Sequence, residues 1–404
     1  MTSTVSSARL DDYRQVAPRG AVDLLLRLGE RLRGRRLVHV SASRYRGQTI
    51  EVLNRLVPIL NDLGIDAGWE VTIGTSDFEG IARTVGRALT GTEQVVTDAM
   101  LERLRDVCAE NAKRLRLEAD LVVVHDAAPL LLVEGRSGDT RWVWRYHHDL
   151  SSPQPQLWNV LRPVAQRYDA VVFSDAKFAA PLSIPRFVIY PSVDPLSERN
   201  RDMGRAEQGL HLDRLRVPRD KPFLLQVGPF HRSHDPLGVI NAYRLVKKHH
   251  DVRLVLAGPP PGSGDDVLAE VQEAASHDPD LRIVVLPPDP QTEVNALERS
   301  ATIVIHKPLA TGFGIFGINV AAAMWKGKPV LGSLAGGIPN QVIFGVTGYT
   351  VETVEGAAFR IRHLLGNPEL IGRMGAAARE HIRRNFLITR HIGDYLALLA
   401  LLTK

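Results

Sequence analysis

The chain has 404 residues, which is more than one ordinary hydrophobic core holds and therefore predicts two domains. Hydrophobic residues make up 44% and charged residues 24%, both near globular averages, which excludes disordered and collagen-like chains. The formal net charge of +5 is spread along the sequence without an interleaved set of aromatic residues, so we expect no nucleic-acid binding.

The N-terminus, "MTSTVSSARLDDYRQ", lacks the basic and then apolar pattern of a signal peptide. No apolar run reaches the roughly 18 residues that cross a bilayer. We therefore expect a cytoplasmic protein that does not bind membranes. The single cysteine, Cys108, excludes an internal disulfide and lies in a helical pattern, which indicates a small buried residue.

Short apolar runs alternate with amphipathic helical stretches along the N-terminal half. After an N-terminal extension, predicted over 1–35, "RLVHVSAS" is typical of a strand, and "QTIEVLNRLVPILNDLG" of a helix that ends at Gly64. "DAGWEVTIG" is typical of the next strand. "ADLVVVHD" and "YDAVVFSD" are continuously apolar, as in parallel strands that are covered on both faces. A Rossmann-like domain is predicted over 36–195.

The composition becomes polar after Pro195, and we predict a linker over 196–220. A second alternating set, beginning with "PFLLQVG", predicts another Rossmann-like domain over 221–385. A last helix, over 386–404, is predicted to pack back on the N-terminal domain. The fold class is therefore α/β, with two parallel sheets facing each other across a cleft where ligands bind at the carboxyl ends of the strands.

Several ordered stretches carry a resemblance to a known family. The stretches are "EVLNRLVPILNDLGIDAGWEV", "WVWRYHHDLSSP", "PSVDPLSERN", "EVNALERSA", "AMWKGKPV" and "GGIPNQV". They resemble the trehalose-forming glycosyltransferases of retaining family 4. The resemblance implies the GT-B fold and transfer of a nucleotide-activated glucose to the anomeric hydroxyl of free glucose, with no metal or other cofactor.

The family's donor loop is altered in "QVGPFHRSHDPLG". A pyrophosphate needs cations or backbone amides, and the leaving phosphate gains charge in the transition state. The family's Arg and Lys positions match Pro229 and His234. His231 and Arg232 are candidates to replace them, although Arg232 also fits a solvated loop residue. His234 would have to be protonated to act as a cation, which a neighbouring phosphate favours.

The family's two donor-site glutamates are also missing. Their positions match Gly314, or Gly312 after a small gap, and Ala322, and no Asp or Glu occurs between Arg299 and Val351. What remains is a glycine-rich helix start, whose free amides and dipole favour an anion. Lys326, near the end of this segment, fits a solvated helix residue equally well. The donor-site residues predicted here are Gly312, Gly314, Gly317, Asn319 and Lys307.

A glycine pair of the family matches Gly47 and Gln48, of which one glycine is kept. Arg44 and Arg46 flank this pair, and either is a candidate to carry the phosphate charge lost from the other domain. Surface arginines before a helix explain the same pattern.

The acceptor motif "WRYHHDLSSP" is well kept. The family's His-x-Asp matches His147 and Asp149, which share one side of a strand if the strand continues through them. Such a pair suits hydrogen bonds to sugar hydroxyls or a proton relay, and we predict both residues as catalytic. A buried histidine held by an aspartate explains it too. Further predicted cleft residues are Tyr146, His148, Asp126 and Asp194, the two aspartates being equally typical of turns or caps.

The function predicted from these features is a retaining-type glycosyltransferase with altered donor recognition. The loss of several donor contacts together indicates an unusual activated sugar or acceptor, as in biosynthesis of an antibiotic sugar or of an S- or 1,1-linked glycoside. The alternatives are a non-catalytic partner or binding protein and a pseudo-glycosyltransferase that forms a non-glycosidic bond. The expected partners are a nucleotide sugar and a small acceptor, with a homodimer left open.

Overall fold

The computed structural model describes residues 9–43, 48–260, 267–309 and 315–403. The chain divides into two compact units. The first comprises Met1–Ser192, Gly314–Phe316 and Ile388–Lys404, and the second comprises Val193–Phe313 and Gly317–Leu387.

The first unit is built on a parallel sheet in the order β2-β1-β3-β4-β5-β6. Its central strands are mostly aliphatic or aromatic and almost wholly buried, because helices cover both faces of a parallel sheet. Gly64, with φ +84°, ends the helix that follows the first strand, as the sequence predicts. The elements are β1 (Arg36–Ser41), β2 (Asp66–Val71), β3 (Leu121–His125), β4 (Arg141–Tyr146), β5 (Ala170–Phe173), β6 (Arg186–Val188), α1 (Ala21–Arg31), α2 (Gln48–Asp62), α3 (Ser76–Leu89), α4 (Asp98–Arg114) and α5 (Pro155–Ala165).

The second unit has its own parallel sheet in the order β12-β11-β10-β7-β8-β9. Its core is formed by aliphatic residues of the strands and of the helices after them. The elements are α6 (Arg205–Arg214), β7 (Phe223–Val227), α7 (Pro236–Lys247), β8 (Arg253–Gly258), α8 (Leu268–Ala275), β9 (Leu281–Val285), α9 (Gln291–Ser300), β10 (Ile303–His306), α10 (Ile318–Trp325), β11 (Val330–Gly332), α11 (Ile338–Gln341), β12 (Gly348–Thr350), α12 (Val354–Leu365) and α13 (Pro368–Asn385). The predicted α/β class with two parallel sheets is confirmed.

The segment that the sequence predicts as a linker, 196–220, contains α6 and belongs to the second unit. The Asn295 amide donates to the Glu198 and Arg201 carbonyls, both at 2.9 Å, so a side chain of α9 holds the backbone at the start of this segment. The last helix, α14 (Ile388–Leu402), belongs to the first unit. No helix in the described residues is long and apolar enough to cross a membrane.

Candidate functional site

Each sheet has a switch point, where the connections leave in opposite directions and ligands usually bind beyond the strand ends. In the first unit this point lies between β1 and β3, which are neighbours in the sheet although β2 separates them in the chain. In the second unit it lies between β7 and β10.

Three histidines form a hydrogen-bonded chain across the first sheet. His39 Nδ1 lies 3.0 Å from His125 Nε2, and His125 Nδ1 lies 3.1 Å from His147 Nε2. The strand register explains the contact, because His39 is level with Val123 and His125 is level with Arg145. His125 therefore lies two residues beyond the level of His39, and His147 lies two residues beyond the level of His125, just after β4 ends. The three rings thus form a diagonal row that ends at the carboxyl ends of the strands.

The surroundings keep these rings uncharged. Burial lowers the pKa of His39 to about 3. Burial, and then the positive charge of Arg145, hold the pKa of His147 well below its ordinary value. The Arg145 guanidinium is fully buried and donates to the carbonyls of Phe173 at 2.8 Å and Ile189 at 2.7 Å. Near pH 7 each ring therefore carries one N–H rather than two.

Asp126 fixes the backbone next to this chain. Its φ of +64° lies in the left-handed region, which an aspartate tolerates and which often marks a functional site. Its Oδ1 accepts the backbone N–H of His147 at 3.2 Å, and its carbonyl accepts the Trp144 indole N–H at 2.8 Å. Burial raises the pKa of the Asp126 carboxyl, against the opposing effect of His148.

Asp149 does not pair with His147. The strand ends at Tyr146, so the alternation expected for a continuing strand does not hold at His147 and Asp149. The Asp149 carboxylate accepts the backbone N–H of Ser151 at 2.8 Å, a turn contact, while His147 bonds to His125.

The other predicted acceptor residues take different positions. Tyr146, predicted in the cleft, is fully buried in the core of the first unit, and its ring packs against the exposed His148 at 5.9 Å between centroids. Asp194 lies in the second unit, where its Oδ1 accepts the Leu196 N–H at 3.0 Å in a turn.

A cavity opens beside the histidine chain within the first unit. Its about 420 Å³ of empty space includes open solvent at its mouth, and its wall includes two rings from α14 and one from the loop before α10. Phe316, from that loop, packs on Tyr190 with centroids 5.4 Å apart. The lining residues that matter for the chemistry are His125, Arg145, His147, Phe316, His391 and Tyr395.

Lys307 and Asp235 meet at the switch point of the second sheet. Lys307 follows β10 and is 5% exposed, and its Nζ lies 2.6 Å from Asp235 Oδ2. Asp235, with φ +51°, also caps α7 by accepting the Gly238 N–H at 3.1 Å. The protein's own carboxylate thus already balances this lysine and the positive end of α7.

His234 is not a cation in this environment. Burial, assisted by His231, lowers its pKa to about 4, and His306 faces it with ring centroids 6.0 Å apart. His231 lies 2.9 Å from the Ser233 hydroxyl. Arg232 donates to Glu270 at 2.6 Å, and both side chains are about half exposed, which fits the solvated alternative.

Asn319, at the start of α10, accepts a hydrogen bond from Arg199 at 3.3 Å. Arg199 also bonds at 3.0 Å to Glu298, whose second oxygen lies 2.7 Å from Lys326. Lys326 is buried, so the solvated alternative for this residue is wrong. Gly317, with φ +77°, precedes α10.

Some predicted donor residues cannot be placed. Gly47, Arg44, Arg46, Gly312 and Gly314 lie outside the described residues, and Gln48 is the first residue of α2.

His39, His125 and Arg145 were missed as site residues from the sequence. The available signal was a polar residue set within or at the end of each of three mostly apolar strands. Their meeting depends on β1, β3 and β4 being lateral neighbours, which their order in the chain does not reveal.

The comparisons with known proteins match both halves of the chain. The family model for the trehalose synthase N-terminal domain matches residues 39–180, and the model for glycosyl transferases group 1 matches residues 210–381. The trehalose synthase of Pyrococcus horikoshii is 35% identical over 97% of this chain and 96% of its own. The trehalose synthase of Rubrobacter xylanophilus is 36% identical with the same coverage, 97% and 96%.

A solved structure supports the fold. HepE from Anabaena, in complex with UDP and glucose, aligns with a TM-score of 0.68 and 15% identity over 91% of this chain and 99% of its own. This likeness indicates that the two parallel sheets described above form a GT-B fold. With both family models matched and the likeness to trehalose synthases covering nearly its whole length, this chain belongs to the trehalose synthase family of GT-B glycosyltransferases.

Proposed function

We propose that this chain transfers a sugar, with retention, from a nucleotide donor to a small acceptor, and that its donor differs from that of the family's ordinary members. The observation that supports the altered donor is the Lys307–Asp235 pair at the second switch point, beside a neutral His234. The loop after β7, which should carry two cations, has the neutral His234 and the exposed Arg232. The buried Lys307 that reaches this loop from the end of β10 is already balanced by Asp235. An unusual activated sugar, used in making an antibiotic sugar or an S- or 1,1-linked glycoside, fits a rewritten donor site.

The acceptor role belongs to the first unit. His147 lines a cavity together with Arg145 and His391. An N–H of His147 is suited to a sugar oxygen, whereas Arg145 and His391 donate to backbone carbonyls. Asp126 and His125 hold His147 from its backbone and its ring, so the site is rigid before a ligand binds. We infer that the hydroxyl acceptor binds in this cavity.

Lys307 is the candidate for the donor phosphate. An ammonium has three N–H groups, and within the described residues Lys307 uses one of them on Asp235. Two remain for phosphate oxygens, and a fixed cation there would stabilise the charge that develops on the leaving phosphate. Arg232 is a second candidate, since an exposed salt bridge such as that with Glu270 is weak and can exchange for a phosphate.

The same observation favours a second candidate function. A loop whose cations are replaced or balanced is also expected of a binding or partner protein that lost donor chemistry, or of a pseudo-glycosyltransferase that forms a non-glycosidic bond. Nucleotide binding and turnover distinguish these functions from the first.

Calorimetry with UDP, GDP and ADP tests the proposal. We expect one nucleotide to bind, and Lys307→Met to weaken that affinity at least tenfold, about 1.4 kcal/mol. Lys221→Met is the matched control, because Lys221 also bridges aspartates, Asp251 at 2.7 Å and Asp280 at 3.0 Å, but precedes β7 at the opposite edge of the sheet. Binding of no nucleotide diphosphate would reject the transferase proposal. Equal losses in both variants would reject the role of Lys307.

A further inference from the structure

The chain of three histidines has only two possible hydrogen-bonding directions. Each neutral ring has one N–H and one bare nitrogen, so a ring in the middle must donate to one neighbour and accept from the other. If His125 Nδ1–H donates to His147, then His39 Nδ1–H donates to His125. If the direction reverses, all three rings change tautomer together. The tautomer of His147 is therefore tied to that of His39, two strands away.

The groups around the chain favour neutral rings over charged ones. Arg145 is the buried cation in register with His125 and opposes a second positive charge on the same face. From α14, Arg390 is paired with Asp394, while His391 donates from Nδ1 to the Tyr190 carbonyl at 2.9 Å. Asp126 engages the His147 backbone, and the remaining neighbours of the chain are Tyr395, beside His39, and His148. The change still open to these rings is therefore the exchange of one neutral tautomer for the other.

The direction of the hydrogen bonds is set at the His39 end of the histidine chain. His39 Nε2 is buried and has no hydrogen-bond partner in the described residues, and the neighbour there is the ring of Tyr395, with centroids 5.2 Å apart. A buried N–H without an acceptor is rarer in folded proteins than an acceptor without a donor. His39 Nε2 is therefore the bare nitrogen, and the proton is on Nδ1. The direction then runs from His39 through His125 to His147.

We propose that His39 and His125 are positioning residues that hold His147 as its Nδ1–H tautomer. His147 then presents a hydrogen-bond donor at the cavity rather than a basic nitrogen. It would bind an oxygen of the sugar or the acceptor and would not take a proton from a hydroxyl. The role of this tautomer in catalysis rests on the proposed transferase function. The assignment of the tautomer does not.

Histidine NMR tests this inference on the full chain without any substrate. In protein labelled with ¹⁵N-histidine, long-range ¹⁵N–¹H correlation spectra distinguish the two neutral tautomers and the charged form. His147→Gln identifies the resonances of His147 by their loss. We expect the Nδ1–H form of His147 in about tenfold excess near neutral pH, given the cost of an orphaned buried donor. An Nε2–H form, or a ring with both nitrogens protonated, would overturn the proposal.

A matched pair of variants at the far end makes the test sharper. His39→Asp places an acceptor oxygen where His39 Nδ1 stood, so at about pH 8 the carboxylate should draw the His125 proton to Nε2 and turn His147 to its Nε2–H form. His39→Leu offers no acceptor, so His147 should keep Nδ1–H. Circular dichroism and melting curves establish that each variant folds. If His39→Asp leaves His147 unchanged while His125 is neutral, His39 does not set the direction.

The outcome is independent of the donor experiments. A chain without transferase activity can still show the coupled tautomers, and an active enzyme can lack them. Should His39→Asp fail to fold, the wild-type spectrum still decides the direction.

Discussion

At the scale of single residues, the buried charges around Glu298 carry the sharpest consequence for stability. The Glu298 carboxylate is 1% exposed, and its partners are Lys326 Nζ at 2.7 Å and Arg199 at 3.0 Å. Burial lowers the pKa of Lys326 to about 8 despite this carboxylate, so desolvation outweighs attraction for the lysine. We expect Lys326→Met to lower the free energy of unfolding by about 3 kcal/mol, because it leaves Glu298 with one cation fewer. Urea denaturation measures this.

Removing both charges should restore most of the loss. The double variant Lys326→Met with Glu298→Met no longer buries the Glu298 carboxylate. We expect its free energy of unfolding to lie within about 1 kcal/mol of that of the wild type. The surface control is Arg384→Met, whose partner Glu380 is also exposed and for which we expect a change of at most about 0.5 kcal/mol. A double variant as unstable as the single one would contradict this account.

At the scale of elements, two glycines bring the end of α10 against α13. A Cβ on Gly375 would lie 2.1 Å from the carbonyl oxygen of Gly327, a backbone atom that cannot turn aside. Gly372, three residues earlier on the same helix, is exposed and would meet no atom within 4 Å. We expect Gly375→Ala to destabilise by about 1–3 kcal/mol and Gly372→Ala to stabilise by about 0.5–1 kcal/mol.

Urea unfolding of the two alanine variants compares them directly, because residue type and helix are the same. Equal stabilities would mean that the approach of α10 to α13 is not fixed by Gly375. Should the proposed donor role of Lys307 be established, nucleotide affinity of Gly372→Ala should match the wild type.

Some of the strands could be predicted from the sequence and others could not. Apolar runs predicted β1, β3, β5 and β7, since most residues of a buried parallel strand are apolar. The short strands β6 and β12, of three residues each, leave too little pattern to identify. His147 and Asp126 were predicted at the acceptor site, but their link to His39 and Arg145 depends on strand order and register. The neutral state of His234 depends on burial, which the sequence alone does not give.

At the scale of the whole molecule, burial lowers the pKa of seven histidines in the described residues. The shift is smaller for the half-buried His381 of the second unit and large for the other six, which are unevenly divided. Burial lowers the pKa of His39 and of His306 to about 3 and that of His234 to about 4. The three others, His125, His147 and His391, have pKa values held well below the ordinary value. Four of the six belong to the first unit, namely His39, His125, His147 and His391.

This division predicts that acid unfolds the first unit before the second. Below a pH of about 6.5 the unfolded chain binds a proton at each histidine while the folded chain does not, so stability falls as the pH falls toward 4. Each strongly shifted histidine contributes about 1.4 kcal/mol per pH unit across that window. The first unit is therefore the more sensitive one, with four strongly shifted histidines against two and the less shifted His381 in the second unit. Hydrogen exchange with mass spectrometry between about pH 7 and pH 5 should show exchange rising first in β1, β3 and β4. His39→Leu should reduce the slope of the first unit alone and His306→Leu that of the second. A loss of protection at the same pH in both sheets, unchanged by either substitution, would mean that buried histidines do not govern the acid limit of the fold.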